Sequence, residues 1–420
     1  MTKRGLTSTD LLKIRLIGDV DVSPDGERVV AVVQEVKPET NEYRRSLHLW
    51  QRERGLRPFT AGEQDVHPRF SPDGTWIGFI SRRSGQPQLW RIPVAGGEAE
   101  QVTRIEGGIS DFAISPDGRR VAVLASLDAK GVRPEKSEKE KERELEADPY
   151  RKYTKDVKVI EHLYHKMDGE GFYGDRAPQV VVVNADGSEP RQLTQLPHRY
   201  AGLAWSPDGT EIYTAVNREP DYDEHPDRQH IWAIPVDGGE PHRLSPLELD
   251  AGAPVPSPDG SLIAFLANDP RELGYDNTKL YVVGRDGQGL RCLTAHLDRT
   301  MGNATLTDMV GPGRGEPQWS PDGRFIYVLS SARGFTEVLQ IDVATGEART
   351  VAGEGKAVYA FRLDRNARRV AFTAATLEHP GELYLVEDGR EERLSAINDA
   401  FFREVAVSLP IRYEAQAEGG

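Results

Sequence analysis

Apolar positions along this chain come in short β-branched runs, such as Val29-Val30-Ala31-Val32-Val33 and Phe325-Ile326-Tyr327-Val328-Leu329. Each run is framed by polar turn residues, and the pattern predicts strands rather than amphipathic helices. The punctuation repeats. Ser-Pro-Asp-Gly begins at Ser23, Ser71, Ser115, Ser206, Ser257 and Ser320, and a worn copy runs from Leu363 through Asp364 to Val370. In such a tetrapeptide proline presets φ, aspartate bonds locally and glycine takes the positive φ of a tight turn. An apolar stretch precedes each turn and a β-branched run follows it. A third strand comes next, as in Gln88–Ile92, Ile231–Ile234 and Leu383–Val386. A glycine hairpin (Gly96-Gly97, Asp186-Gly187, Asp237-Gly238, Asp286-Gly287, Asp388-Gly389) leads to a fourth strand, which ends in Leu-Thr or a relative. Repeats of this size with four antiparallel strands each predict an all-β fold, a seven-bladed β-propeller of four-stranded antiparallel blades.

The repeat frame also predicts how the ring closes. The first copy has its own innermost strand near Leu16–Val22, and the last has its own outermost strand near Glu391–Leu394. No strand is left to complete a blade from the other end. The first and last blades are therefore expected to meet through side chains, without a shared ladder. Two intervals exceed the basal period. Between Ser115 and Ser206 lies a large insertion in blade three, about residues 129–178. Within it Pro134–Ala147 reads as a solvated helix or a disordered arm, with Glu135/Lys139 and Lys136/Glu140 spaced i,i+4. Tyr150–Asp175, with Val157, Val159, His162 and Tyr164 alternating, reads as an extra hairpin. The second excess includes Asp298–Gly315 and reads as a long loop on one face.

Composition narrows the function classes. A net charge of −14 argues against non-specific nucleic-acid or anionic-membrane binding. The single Cys292 excludes an intramolecular disulfide framework and fits a reducing, cytoplasmic setting. The N-terminus lacks the apolar core of a signal peptide, and no run is long enough for a membrane helix. Gly-x-Ser-x-Gly, a phosphate-binding loop and His-Glu-x-x-His are all absent, so no catalytic residue is assigned and no metal or cofactor is expected. His162 and His165 would face opposite ways on a strand. Two clusters could bind a peptide. Arg151 and Lys152, with Lys155 and Lys158, form a local basic excess suited to a carboxylate. Asp221, Asp223 and Glu224, in an acidic loop, could meet a free amine. As a calcium loop that stretch fails, with Pro226 where glycine is needed.

The repeat resembles the propellers of two groups, the TolB-type proteins and the prolyl oligopeptidase family of serine peptidases, which includes acylaminoacyl peptidases. Three segments resemble the second group: Thr9–Ile14 followed by Asp21–Gly26, Val157–Ile160 through Asp168–Phe172, and the tail from Leu394–Asn398 through Leu409–Tyr413. That resemblance implies a C-terminal α/β-hydrolase domain carrying Ser, Asp and His, with the propeller covering its active site and selecting short peptides. No triad residue has a counterpart here, and few residues follow the last strand. The expected organisation is an N-terminal extension at 1–15, a propeller at 16–395, and a linker at 396–420 toward an absent hydrolase domain. The expected partners are that hydrolase domain and short peptides, with no nucleic acid or membrane. Self-association through an exposed blade edge is the remaining partner expectation. The alternative is a free-standing TolB-like propeller acting as an interaction module.

Overall fold

The computed structural model describes residues 3–415, apart from 149, 151–152, 154–156, 158, 164, 169–170, 173, 226–227, 270, 272–275, 306–314, 412 and 414. Strands dominate, and five separate four-stranded antiparallel sheets follow in chain order. The first comprises Leu16–Val22, Arg28–Lys37, Glu42–Gln51 and Gly55–Pro58; the second Asp65–Phe70, Trp76–Ser81, Gln88–Pro93 and Glu100–Gln101. The third comprises Ile109–Ile114, Arg120–Leu127, Ala177–Asn184 and Arg191–Gln192; the fourth Ala201–Trp205, Glu211–Val216, His230–Pro235 and His242–Arg243. The fifth comprises Asp250–Pro256, Leu262–Asn268, Lys279–Gly284 and Arg291–Cys292.

The remaining strands depart from the expected separation. Phe325–Ala332, Phe335–Asp342 and Ala348–Ala352 form a sixth unit, and Ala357–Leu363, Arg369–Ala375, Glu382–Glu387 and Arg390–Arg393 a seventh. A parallel pairing of Thr336 with Ala357 fuses the two into one nine-stranded sheet. The leading strand of the sixth unit is also split. Thr300–Met301 and Gln318–Trp319 both pair with Phe325–Ala332, so the expected long loop contributes sheet at both its ends. Residues 306–314 of that loop lie outside the described residues.

The turns behave as their residues dictate. In all six complete copies the glycine N–H donates to the serine carbonyl at 2.8–2.9 Å. The serine hydroxyl donates to the aspartate at 2.5–2.6 Å. It also accepts the N–H five residues on at 2.9–3.1 Å, which fixes the start of the second strand. In the worn copy Asp364 Oδ1 takes over the serine's role, accepting Arg369 N–H at 2.8 Å, and Ala367 adopts φ 51° where glycine is lost. The Leu-Thr endings have an equally local cause. The hydroxyls of Thr60, Thr103, Thr194, Ser245, Thr294 and Ser395 each accept a backbone N–H from the third strand at 2.8–3.0 Å.

The core is a series of apolar layers between sheets. In the third sheet Val121, Val123, Val181 and Val183 face Ile80 and Leu89 of the second, while Ala122, Leu124, Val180 and Val182 face Trp205 and Ile212 of the fourth. Strands buried on both sides read as continuous apolar runs for this reason. One layer joins the chain's beginning to its end: Ile17, Val20, Val29 and Ala31 pack on Ala360, Ala371, Leu383 and Leu385. Its rim is polar, with Arg369–Glu27 and Arg52–Glu387 pairs at 2.6 Å. The turns also touch in sequence. A Cβ on Gly74 would lie 3.3 Å from Pro24, and one on Gly26 would lie 2.8 Å from Arg369 of the last turn.

Both segments outside the sheets are ordered near the seam. Ser8–Lys13 forms a 3-10 helix, and the bidentate Arg4–Asp10 pair (2.6 and 2.8 Å) buries the Asp10 carboxylate. Asp399–Glu404 forms a short helix within the expected linker. The two segments pair once, in parallel, at Arg4 and Val405.

In the insertion Glu138–Ala147 is a helix, capped by Ser137 and Glu140. Lys136 pairs with Glu144 and Glu106 (2.6 and 3.6 Å) rather than with Glu140, because Glu140 is engaged in the cap. The expected extra hairpin shrinks to Lys166–Met167 paired with Gly171–Phe172. Val157 and Val159 lie outside any strand and are exposed, having no sheet to join.

Candidate functional site

Because successive strands of each sheet run antiparallel, connections alternate between two faces. Ser-Pro-Asp-Gly turns and glycine hairpins share one face, the turn face. The other, the loop face, carries the insertion, the acidic loop at 217–229 and both segments that flank the sheets.

The leading strands of all the units line a common cavity of about 530 Å³. Six of these strands carry register shifts three to five residues before the turn serine or, in the worn copy, Asp364: between Ile17 and Val20, Val66 and Arg69, Ile109 and Asp111, Ala201 and Ala204, Gly252 and Val255, and Val358 and Ala360. Such bulges re-aim side chains, here toward the cavity. The resulting wall is two-sided. Gly202, Ala204, Ala253 and Val255 make one side small and apolar, while Asp19, Asp21, His67, Arg69, Asp111, Glu316 and Arg362 cluster on the other.

His67 anchors the charged side. Its Nδ1 lies 3.2 Å from Asp19 Oδ2 and its Nε2 3.1 Å from Asp111 Oδ1, so carboxylates of the first and third sheets meet on one ring from the second. The backbone pays with φ 55°, a strained value for a non-glycine residue. Arg69 reaches Asp19 at 3.1 Å, and Arg362 spans Asp21 (3.8 Å) and Glu316 (3.1 Å). Burial would raise both first-sheet carboxyls. For Asp19 the charges of Arg69 and His67 overcome it and hold the group well below the usual carboxylate range. For Asp21 burial wins and the carboxyl is pushed up despite Arg69 and Arg362. Arg69 Nη2 is buried with no hydrogen-bond partner. With both imidazole nitrogens engaged by carboxylates, His67 is poorly placed to take a proton from a hydroxyl. The arrangement suits binding and filtering of polar groups better than acyl transfer.

The residues expected from sequence lie elsewhere, on the loop face. Arg151 and Lys152 fall outside the described residues. Asp221 is half-exposed beside His225 (3.6 Å) and Arg228 (3.7 Å). Asp223 accepts the Leu163 N–H at 2.8 Å and lies 3.6 Å from His162 Nδ1. Glu224 is exposed. The acidic loop of the fourth sheet and the insertion of the third, treated as separate candidates, are thus in contact through Asp223. Sequence reasoning passed over the cavity cluster. A signal was present: charged residues at 19, 21, 67, 69 and 111 interrupt leading strands that should be apolar.

Among the described residues no helix is long and apolar enough to cross a membrane. The fold and its cavity place the chain among propeller-type proteins, and comparison with known proteins bears on which. No protein-family model matches it. It is 28% identical over 423 residues to the uncharacterized peptidase YuxL of Bacillus subtilis, covering 100% of this chain and 62% of that protein. Acylaminoacyl peptidase of Pyrococcus horikoshii superposes with a TM-score of 0.69 at 17% identity, covering 97% of this chain and 56% of that one. The β-propeller domain of the Trilobed protease from Pyrococcus furiosus superposes with a TM-score of 0.60 at 16% identity, covering 92% and 100%. The chain is therefore similar to the propeller part of peptidases related to the prolyl oligopeptidase family. It spans less than two thirds of the length of YuxL and of the acylaminoacyl peptidase.

Proposed function

We propose that this chain is the substrate-selecting propeller of a serine peptidase acting on short peptides, with catalysis supplied by an α/β-hydrolase domain seated on the loop face. One observation carries the reading. The segments that flank the sheets meet at Arg4 and Val405 on that face, and together they expose Leu11, Leu12, Leu409 and Ile411. An apolar surface of this kind suits a domain partner. In this reading the units close as seven blades through the side-chain layer between the first and last sheets. The contacts between successive turns from the first to the sixth, and of the first with the last, support it. The two-sided cavity then admits extended peptides and excludes folded chains. Arg151 and Lys152 hold a substrate carboxylate near the insertion, and Asp221, Asp223 and Glu224 favour a free amine. The setting is the reducing cytoplasm.

Intact mass of the native gene product, with fluorophosphonate labelling of its serine hydrolase, tests the reading. The expected product is longer than 46.6 kDa and labelled. A native product of this mass with no labelled partner copurifying overturns it. In that native enzyme, Arg151→Ala with Lys152→Ala is expected to slow peptides with a free C-terminus more than amidated ones. Equal losses on both remove the carboxylate role.

A further inference from the structure

We propose that His379, Glu382 and Asp399 form a divalent-cation site, with zinc the ion best suited to their donors, that ties the segment leaving the last sheet back onto it. His379 sits in the loop before the third strand of the last unit, Glu382 opens that strand, and Asp399 begins the helix after the fourth. One ligand atom from each lies within 4.8 Å of the others.

Two observations point to a cation. First, His379 Nδ1 and Asp399 Oδ1 are both buried without hydrogen-bond partners, and they face each other at 4.0 Å. That is too far for a hydrogen bond; a tetrahedral zinc with bonds of roughly 2.0–2.2 Å holds its ligands about 3.4 Å apart, so a small side-chain shift would seat one between them. Second, Glu382 is a fully buried carboxylate with no ion-pair partner within bonding reach among the described residues. Its place in the repeat does not require charge. In the second and third sheets the matching residues are Gln88 and Gln179, whose amide oxygens accept the Thr103 and Thr194 hydroxyls. Glu382 Oε2 receives the Ser395 hydroxyl in the same way, and the Ile397 N–H at 3.2 Å. Oε1 receives only the Asn398 N–H, at 3.3 Å, and keeps a lone pair. The carboxyl thus offers an oxygen to His379 and Asp399 where an amide would serve the repeat as well, with Arg393 the cation already beside the cluster.

The surroundings orient the set. Arg393 donates to Asp399 Oδ2 at 2.5 Å, leaving Oδ1 toward His379. The Thr376 N–H donates to the His379 carbonyl at 2.8 Å, and the His379 N–H to Thr376 Oγ1 at 3.1 Å, which fixes the loop. The Phe402 ring packs edge-on against the imidazole, centroids 5.6 Å apart. Partners outside the ligand set that fix ligand orientation in this way support metal affinity. One imidazole and two carboxylates suit zinc, with a water completing the set.

The test uses the untagged chain, stripped with chelator and titrated with Zn²⁺ by calorimetry and thermal melting. One ion per chain is expected to bind and raise the melting temperature, with reversal by chelator. Glu382→Gln, which keeps the hydroxyl tie in the manner of Gln88, and the isosteric Asp399→Asn should each melt cooperatively and bind zinc at least about tenfold more weakly. Absence of saturable binding at millimolar zinc overturns the proposal, as does unchanged affinity in either variant. The result is independent of the peptidase reading, since no catalytic domain is needed to observe it.

Discussion

The two faces of the molecule obey different rules. On the turn face the same serine, aspartate and glycine make the same three hydrogen bonds in copy after copy. On the loop face the Leu-Thr endings repeat, but the longer connections beside them differ: one carries the charged helix, one the acidic loop, and others the segments before and after the sheets. The turn face is determined locally, by residues within five positions of each other. The long connections of the loop face are instead held by contacts between distant parts of the chain, such as Asp223 with Leu163. The tight repeated turns thus lie on one side, and the long variable connections on the other.

Substitutions that touch both a turn and its neighbour should break this division most severely. Gly187 has φ +85°, and a Cβ there would lie 1.8 Å from the Val102 carbonyl of the preceding sheet. Gly187→Ala is expected to cost about 3 kcal/mol or more in denaturant unfolding, from backbone strain and overpacking together. Gly389→Ala, at φ +74° with nothing nearby, should cost only about 1 kcal/mol. Equal losses would show that contact between sheets adds nothing to the turn.

Ser206→Ala ranks next. It removes the buried acceptor of the Glu211 N–H and the donor to Asp208, an expected loss of about 1–3 kcal/mol. Ser115→Ala should lose a similar amount if the copies are equivalent.

On the loop face the insertion is stapled at its base. Arg133 pairs with Glu106 (2.7 Å) and Asp128 (2.6 Å), and Arg176 reaches both at 3.0 and 3.5 Å. Arg133→Ala should leave global unfolding within about 1 kcal/mol of wild type. Proteolysis between residues 136 and 147 should accelerate about tenfold, the signature of local opening. A global loss as large as that of Ser206→Ala would erase the distinction between faces.

The smallest expected effect is on acid stability. Serine hydroxyls hold the carboxyls of Asp73, Asp117, Asp259 and Asp322 below the usual range. A depressed native pKa gives stability that is complete above the unfolded carboxylate range and lost as pH falls from that range through the lower native value. Asp322→Asn should therefore lower the melting temperature slightly at neutral pH and converge with wild type in acid, which flattens the acid limb of the profile.

This division also explains what could be read from sequence. Ser-Pro-Asp-Gly, the glycine hairpins and the Leu-Thr endings were legible because each motif satisfies its own backbone within one unit. The all-β strand order followed from them. The fusion of the last two units was not legible, because it rests on one pairing between Thr336 and Ala357. His67 meets Asp19 and Asp111 only after three sheets are set side by side, and no spacing in the chain announces that meeting. The same holds for His379, Glu382 and Asp399, which a strand and a turn keep apart. The acidic loop was visible as composition, but its contact with Leu163 was not.

The pairing of Arg4 with Val405 has a mechanical consequence. Arg4 N–H donates to the Glu404 carbonyl at 3.0 Å, and Ala406 N–H to the Arg4 carbonyl at 2.8 Å. Tension applied between the two flanking segments would load this short parallel clasp in shear before any sheet bore the strain. A body tethered to either segment would thus pull on a shared anchor point, and would swing on a short leash.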